Sequence, residues 1–128
     1  MTRFAIRRVY EAPDPSDGTR ILVDRLWPRG ITRDKARIDL WLRDIAPSDT
    51  LRKRFHGHPD EWDAFRAAYD VELEAAAARE AATTVFERLK DGPVTLLYAA
   101  RDEQRNNAVA LRIWLDRQCN ETTPPRIG

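Results

Sequence analysis

Two short apolar runs, Ile21-Leu22-Val23 and Val94-Thr95-Leu96-Leu97-Tyr98-Ala99-Ala100, constrain the fold of this chain more than any other feature. Continuous apolar runs of this length suit strands covered on both faces. The residues between them, 24–93, read as mostly helical. Two strands joined by so long a helical connection pair in parallel through a right-handed crossover. A further run, residues 3–10, alternates Phe4, Ile6, Arg8 and Tyr10 with Arg3, Ala5, Arg7 and Val9, which predicts a strand with one wet face. Its link to the second strand, Glu11 to Thr19, is dense in turn residues and fits either a hairpin or a compact crossover. The expected fold is therefore α/β: a small, mainly parallel sheet of three to four strands flanked by helices. A length of 128 residues fits a single domain, placed at residues 1–119, with 120–128 and its Pro124-Pro125 pair as a flexible tail.

The helical stretch divides by its own signals. Leu40, Trp41 and Ile45 form a short apolar stripe, and Ser48 is placed to cap a helix carrying Leu51 and Phe55. Pro59 suits a first helical residue, and Trp62, Phe65, Tyr69, Leu73 and Ala76 keep a 3.6-residue period, which predicts one helix over 59–78. Another is predicted over about 80–90, ending at Asp91-Gly92-Pro93, and a last one over about 104–118.

Ligands of open parallel sheets gather beyond the carboxyl ends of the strands. Here one run ends in Asp24-Arg25-Leu26-Trp27-Pro28-Arg29-Gly30 and the other in Arg101-Asp102-Glu103-Gln104-Arg105-Asn106-Asn107. A parallel pairing puts both at one sheet edge, beside the start of the last helix. Arg25, Arg29 and Arg101 bring planar donors suited to phosphate or carboxylate. Trp27 and Tyr98 offer rings, Gly30 a turn, and Asn106 and Asn107 either a helix cap or a ligand contact. Asp24 or Asp102 is the candidate general base, since a partly buried carboxyl holds its proton more tightly unless paired. The alternative is an ion-pair lattice in which Asp24 meets Arg101 and Asp102 meets Arg25.

Other features point elsewhere or nowhere. His56-Gly57-His58, near Asp60 and Glu61, reads as a loop between helices, and no metal site is assigned. The single cysteine, Cys119, excludes an intrachain disulfide and reads as a small buried hydrophobe. Lys plus Arg number 22 against 21 Asp plus Glu, and a net charge of +1 disfavours a dominant nucleic-acid or membrane footprint. A local basic face of Arg3, Arg7, Arg8, Arg33, Lys35 and Arg37 keeps a nucleic-acid or protein-binding module as the second reading. Neither a signal sequence nor a run near ~20 apolar residues is visible, so a cytoplasmic protein is expected. No cofactor or oligomeric state is identified.

Several strings in order resemble the YeaO-like proteins, a branch of domain-of-unknown-function family 488. They are Arg8-Val9-Tyr10, Asp17-Gly18, the run Arg20 to Gly30, Ala46-Pro47-Ser48 to Leu51-Arg52, Phe55-His56-Gly57 and Thr95 to Ala100. The resemblance spans about residues 3–118. It implies a small cytoplasmic protein of bacteria or archaea with no reaction to carry over and hence no catalytic residues. Many relatives resemble Asn-His-Ala where this chain has Asn106-Asn107-Ala108: a histidine acting as general acid or base is lost here, whereas one that only hydrogen-bonds is replaced by Asn107. The reading that results is an anion pocket, for phosphate, nucleotide or carboxylate, at the carboxyl ends of the central strands, with an enzymatic role left open.

Overall fold

The computed structural model describes residues 3–122. Four strands, β1 (Phe4–Arg8), β2 (Thr19–Leu22), β3 (Leu40–Trp41) and β4 (Val94–Tyr98), form one sheet in the order β1-β4-β2-β3. Every pairing is parallel. The central strand β4 is buried at all five positions, and its neighbour β2 at Arg20, Ile21 and Leu22. That is why both read as unbroken apolar runs rather than alternating ones. β4 lies between β1 and β2, so the 9–18 segment is a compact crossover, not a hairpin. It contains only a 3-10 turn, Pro15–Asp17.

The two faces of the sheet are covered unequally. Phe4, Ile21, Val23, Val94, Leu96 and Tyr98 face the larger core. Against them pack α2 (Asp49–Phe55), α3 (Trp62–Glu72), α4 (Ala76–Asp91) and α5 (Asn107–Thr122). Val9, Leu22 and Leu97 face a smaller core closed by Ala36, Ile38, Trp27 and Trp41. The cover there is the 24–38 segment with its single turn α1 (Arg33–Ala36). The second face of β1 is wet as expected, with Ala5 exposed and Arg7 half-buried, and only Val9, just beyond the strand, turns into the smaller core.

Three local readings differ from the sequence expectation. Leu40–Trp41 is strand, not helix: Asp39 and Leu42 donate their amides to the Arg20 and Leu22 carbonyls, and pairing with β2 overrides the helical spacing. The 59–78 helix is broken. After a 3-10 turn at Pro59–Glu61, α3 ends at Glu72 and Ala75 adopts an extended conformation that starts α4. The alanines at 76–78 thus open a helix rather than close one. The last helix begins at Asn107, because residues 102–106 form a turn around the Asp102 carboxylate, and it runs to Thr122. The remainder of the expected tail, 123–128, lies outside the described residues. Ser48 caps α2 as its position predicts, accepting from the Leu51 amide at 3.1 Å.

Candidate functional site

At the carboxyl end of the sheet the ladder stops and the backbone opens. Val23 still donates to the Leu97 carbonyl, and Asp24 is the first residue beyond the ladder on that side. A cavity of about 680 Å³ lies here, within the usual ~300–1,000 Å³ of small-molecule sites. It brings together Asp24, Arg25, Trp27, Arg29, Arg101, Asp102, Asn106 and Asn107 from the two strand-end runs. Two expected members fall outside it. Tyr98 is packed in the main core, where burial pushes its phenol above the usual value. Gly30 is a turn residue at φ 75° and does not line the cavity.

Most of these side chains are held by an identifiable contact. Asp24 accepts from the Ala99 amide on Oδ2 at 2.9 Å and from Asn107 Nδ2 on Oδ1 at 2.9 Å. Asn107 Nδ2 also donates to the Val23 carbonyl at 3.0 Å, locking helix α5 to the end of β2. Asn106 is the cap of α5: its side-chain oxygen accepts from the Val109 amide at 2.9 Å. Arg25 turns away from both carboxylates and donates to the Pro47 and Ala46 carbonyls. Trp27 donates its indole N–H to the Ile31 carbonyl and meets Trp41 edge-on at 5.2 Å between centroids. Trp41 in turn donates to the Asp24 carbonyl at 2.7 Å.

The expected pairs Asp24–Arg101 and Asp102–Arg25 do not form among the described residues. Backbone amides take the place of the arginines: Asp102 Oδ1 accepts from the Gln104 and Arg105 amides, both at 2.9 Å. Those amides hold the Asp102 carboxyl below its ordinary value, which makes it a weaker base. Asp24 moves the other way. Burial raises its pKa above the ordinary 3.8, outweighing the Asn107 and Ala99 hydrogen bonds and the charge of Arg52.

That direction sets a pH signature. The folded state holds the Asp24 proton more tightly than the unfolded chain does. The resulting stability is fully present below 3.8 and is lost as pH rises through the elevated folded value. The difference in urea midpoint between the parent and Asp24→Asn is expected to fall across that interval. A flat difference would mean the carboxyl titrates as in the unfolded chain.

Sequence reading missed part of the wall. Arg52, Phe55 and His56, from α2 and its C-cap, line the cavity, as do Pro47 and Phe65. Arg52 and His56 lie in the recognised Ala46–Gly57 strings, but nothing local says that α2 folds over the sheet edge. Two residues of the β1 end were also missed. Arg8 donates to the Ala100 and Ala99 carbonyls at 2.9 and 3.0 Å. Tyr10, with Arg8 stacked 4.9 Å over its ring, donates to the Arg29 carbonyl at 3.0 Å. Together they tie down the two loops that carry Arg29 and Arg101. His58 sits 3.8 Å from Glu61, and neither histidine belongs to a cluster able to hold a metal among the described residues. No helix among them is long and apolar enough to cross a membrane.

Fold and site define a class: a small α/β domain with an all-parallel sheet and an arginine-rich cavity beyond its strand ends. The model of the family described as the inactive DUF488-N3 subclade matches residues 3–126, and the chain belongs to that family. It is 43% identical over 109 residues to the uncharacterized protein YeaO of Escherichia coli, covering 85% of this chain and 93% of that protein. An uncharacterized protein of Mycobacterium tuberculosis is 42% identical over 110 residues, covering 86% of this chain and 91% of that protein. No solved structure gives a significant match.

Proposed function

We infer that this chain binds a small anionic molecule, a phosphate, nucleotide or carboxylate, in the strand-end cavity and does not turn it over. One observation carries this reading: Arg25, Arg29, Arg52, Arg101 and Arg105 line one cavity with two carboxylates, each already engaged by backbone amides, and although Arg52 is paired with Asp49, Arg29 and Arg101 have no such partner among the described residues. The excess positive charge in a partly enclosed site favours an anion, and α5 adds the positive end of its dipole. The family's description as inactive, and an asparagine at 107 fixed to Asp24 and Val23, support binding without catalysis.

The competing nucleic-acid face loses most of its donors to the fold. Arg7 reaches the Ala12 carbonyl, Arg8 those of Ala99 and Ala100, Arg33 those of Ile38 and Asp39, and Arg37 that of Gly18.

Thermal shift with sulfate, phosphate and benzenesulfonate tests the reading. A ligand at 100 times its Kd should add about 2.7 kcal/mol of stability. Arg29 and Arg101 are exposed, and their guanidinium groups make no hydrogen bond or ion pair among the described residues. Arg29→Ala and Arg101→Ala should therefore leave unliganded stability within about 0.5 kcal/mol of the parent. Each should weaken binding about tenfold or more, the loss of one charge-assisted hydrogen bond. Absence of stabilisation by any anion at millimolar concentration would refute it.

A further inference from the structure

Anion binding leaves Asp24 unexplained. A carboxylate on the cavity wall repels an anion, and among the described residues no arginine pairs with it. Its neighbours come from several elements: the Ala99 amide just after β4, the Asn107 amide group from α5, the charge of Arg52 from α2, and the buried Tyr69 of α3, which feels the Asp24 charge. Arg25, its chain neighbour, is committed to the Ala46 and Pro47 carbonyls. A carboxylate offers about four acceptor positions, and the protein fills one on each oxygen. The remaining capacity belongs to a group on the cavity wall.

The rest of the wall is unlike a site for a bare oxyanion. Trp27, Pro28, Pro47, Phe55 and Phe65 line it. A single water occupies about 30 Å³ of liquid, so a cavity of about 680 Å³ far exceeds a tetrahedral ion. A ring would cover those apolar side chains and carry an anionic group toward the arginines.

We propose that the cavity takes a ring-bearing acid whose ring also carries a hydroxyl or amino group, with the arginines holding the anionic group and Asp24 accepting a hydrogen bond from the substituent. This rests on the anion reading above and narrows it. A ring acid without a donor satisfies the arginines but leaves Asp24 buried against it. The donor turns that repulsion into a charge-assisted hydrogen bond.

The test is calorimetric titration with benzenesulfonate, its ortho, meta and para hydroxyl and amino derivatives, and inorganic sulfate. Sulfonates remain anionic throughout, so ring substitution is the variable that matters. At least one derivative should bind tenfold or more tighter than benzenesulfonate. That advantage should fall below about threefold in Asp24→Asn, whose amide oxygen lacks the charge. Should Asp24→Asn fail to fold, Asp24→Glu, which moves the charge by one methylene, should shrink the advantage or shift it to another isomer. Binding of benzenesulfonate with no gain from any isomer overturns this proposal and leaves the anion reading standing. An advantage that persists unchanged in the Asp24 variant overturns it as well. Failure of sulfate and every sulfonate to bind overturns the anion reading itself.

Discussion

Asp17→Asn is expected to lower the unfolding free energy by about 3–5 kcal/mol, the usual result of leaving a buried charge without its partner. The charge at risk is Arg20, which has no solvent exposure. Its Nη1 lies 2.6 Å from Asp17 Oδ2, and its Nε donates to the Ala36 carbonyl at 3.0 Å. Its Nη2 is buried without a hydrogen bond. The same carboxylate oxygen is 3.8 Å from Arg7 Nε, which is also buried without a hydrogen bond, and accepts from the Asp14 amide. One carboxylate therefore meets two guanidinium groups; a neutral amide there leaves the buried Arg20 without a charged partner, while Arg7 keeps Glu11 at 3.4 Å. Asp49→Asn is the control. It breaks the Arg52–Asp49 contact, in which both side chains are about half exposed, and such pairs are worth about 1 kcal/mol or less. Urea unfolding of the two variants measures the contrast. A loss at Asp17 no larger than at Asp49 would show that water reaches Arg20 in solution.

This cluster stands at the amino end of the sheet, opposite the cavity. Thr95 on β4 donates to the Asp17 carbonyl at 2.8 Å, and Arg20 on β2 is paired in register with Thr95. In sequence, Asp17 falls among the turn residues of 11–19 and Arg20 stands just before the apolar run Ile21-Leu22-Val23. The Asp-x-x-Arg spacing across that turn was the available signal. Charge counting treats every arginine as a surface donor, whereas many here saturate carbonyls in irregular segments. Buried carbonyls outside a ladder need such partners. Arg8, Arg25 and Arg33 each hold two of them. Which guanidinium is committed and which is available depends on tertiary placement, and that is why Arg25 and Arg29, four residues apart, differ in role.

The strands and the location of the cavity were legible for a different reason. β2 and β4 are buried on both faces, so their apolar runs do not depend on register, and long crossovers make such strands parallel. Strand-end chemistry then falls on one edge. β3 was illegible because two residues carry no period, and its identity comes from hydrogen bonds to β2. The α3–α4 break was illegible because no glycine or proline marks it. Arg52 and His56 join the site only through the packing of α2 over the sheet edge.

Gly18→Ala is expected to be the most damaging single methyl addition in this chain, at about 4 kcal/mol, backbone strain of ~1–3 added to overpacking of ~1–3. Gly18 sits at φ 66° and ψ −136°, a region almost closed to side-chain-bearing residues. A Cβ there would lie 2.1 Å from the Pro93 carbonyl oxygen and 2.7 Å from its carbon. Neither partner can move cheaply. The Thr19 amide donates to that same Pro93 oxygen at 2.9 Å, fixing the approach of β2 to β4, and Arg37 donates to the Gly18 carbonyl at 3.2 Å. Gly30 makes the comparison informative. It closes the conspicuous Trp-Pro-Arg-Gly string at a similar φ of 75°, yet a Cβ there meets nothing within 4 Å. Gly30→Ala should lose only the conformational part, about 1 kcal/mol. Thermal denaturation of the two variants separates strain from collision: equal losses would mean that the Pro93 contact relaxes, and a much larger loss at Gly18 would mean that it does not. The glycine that defines the sheet's amino end is then the one the fold cannot replace, while the one in the conspicuous motif is a replaceable turn.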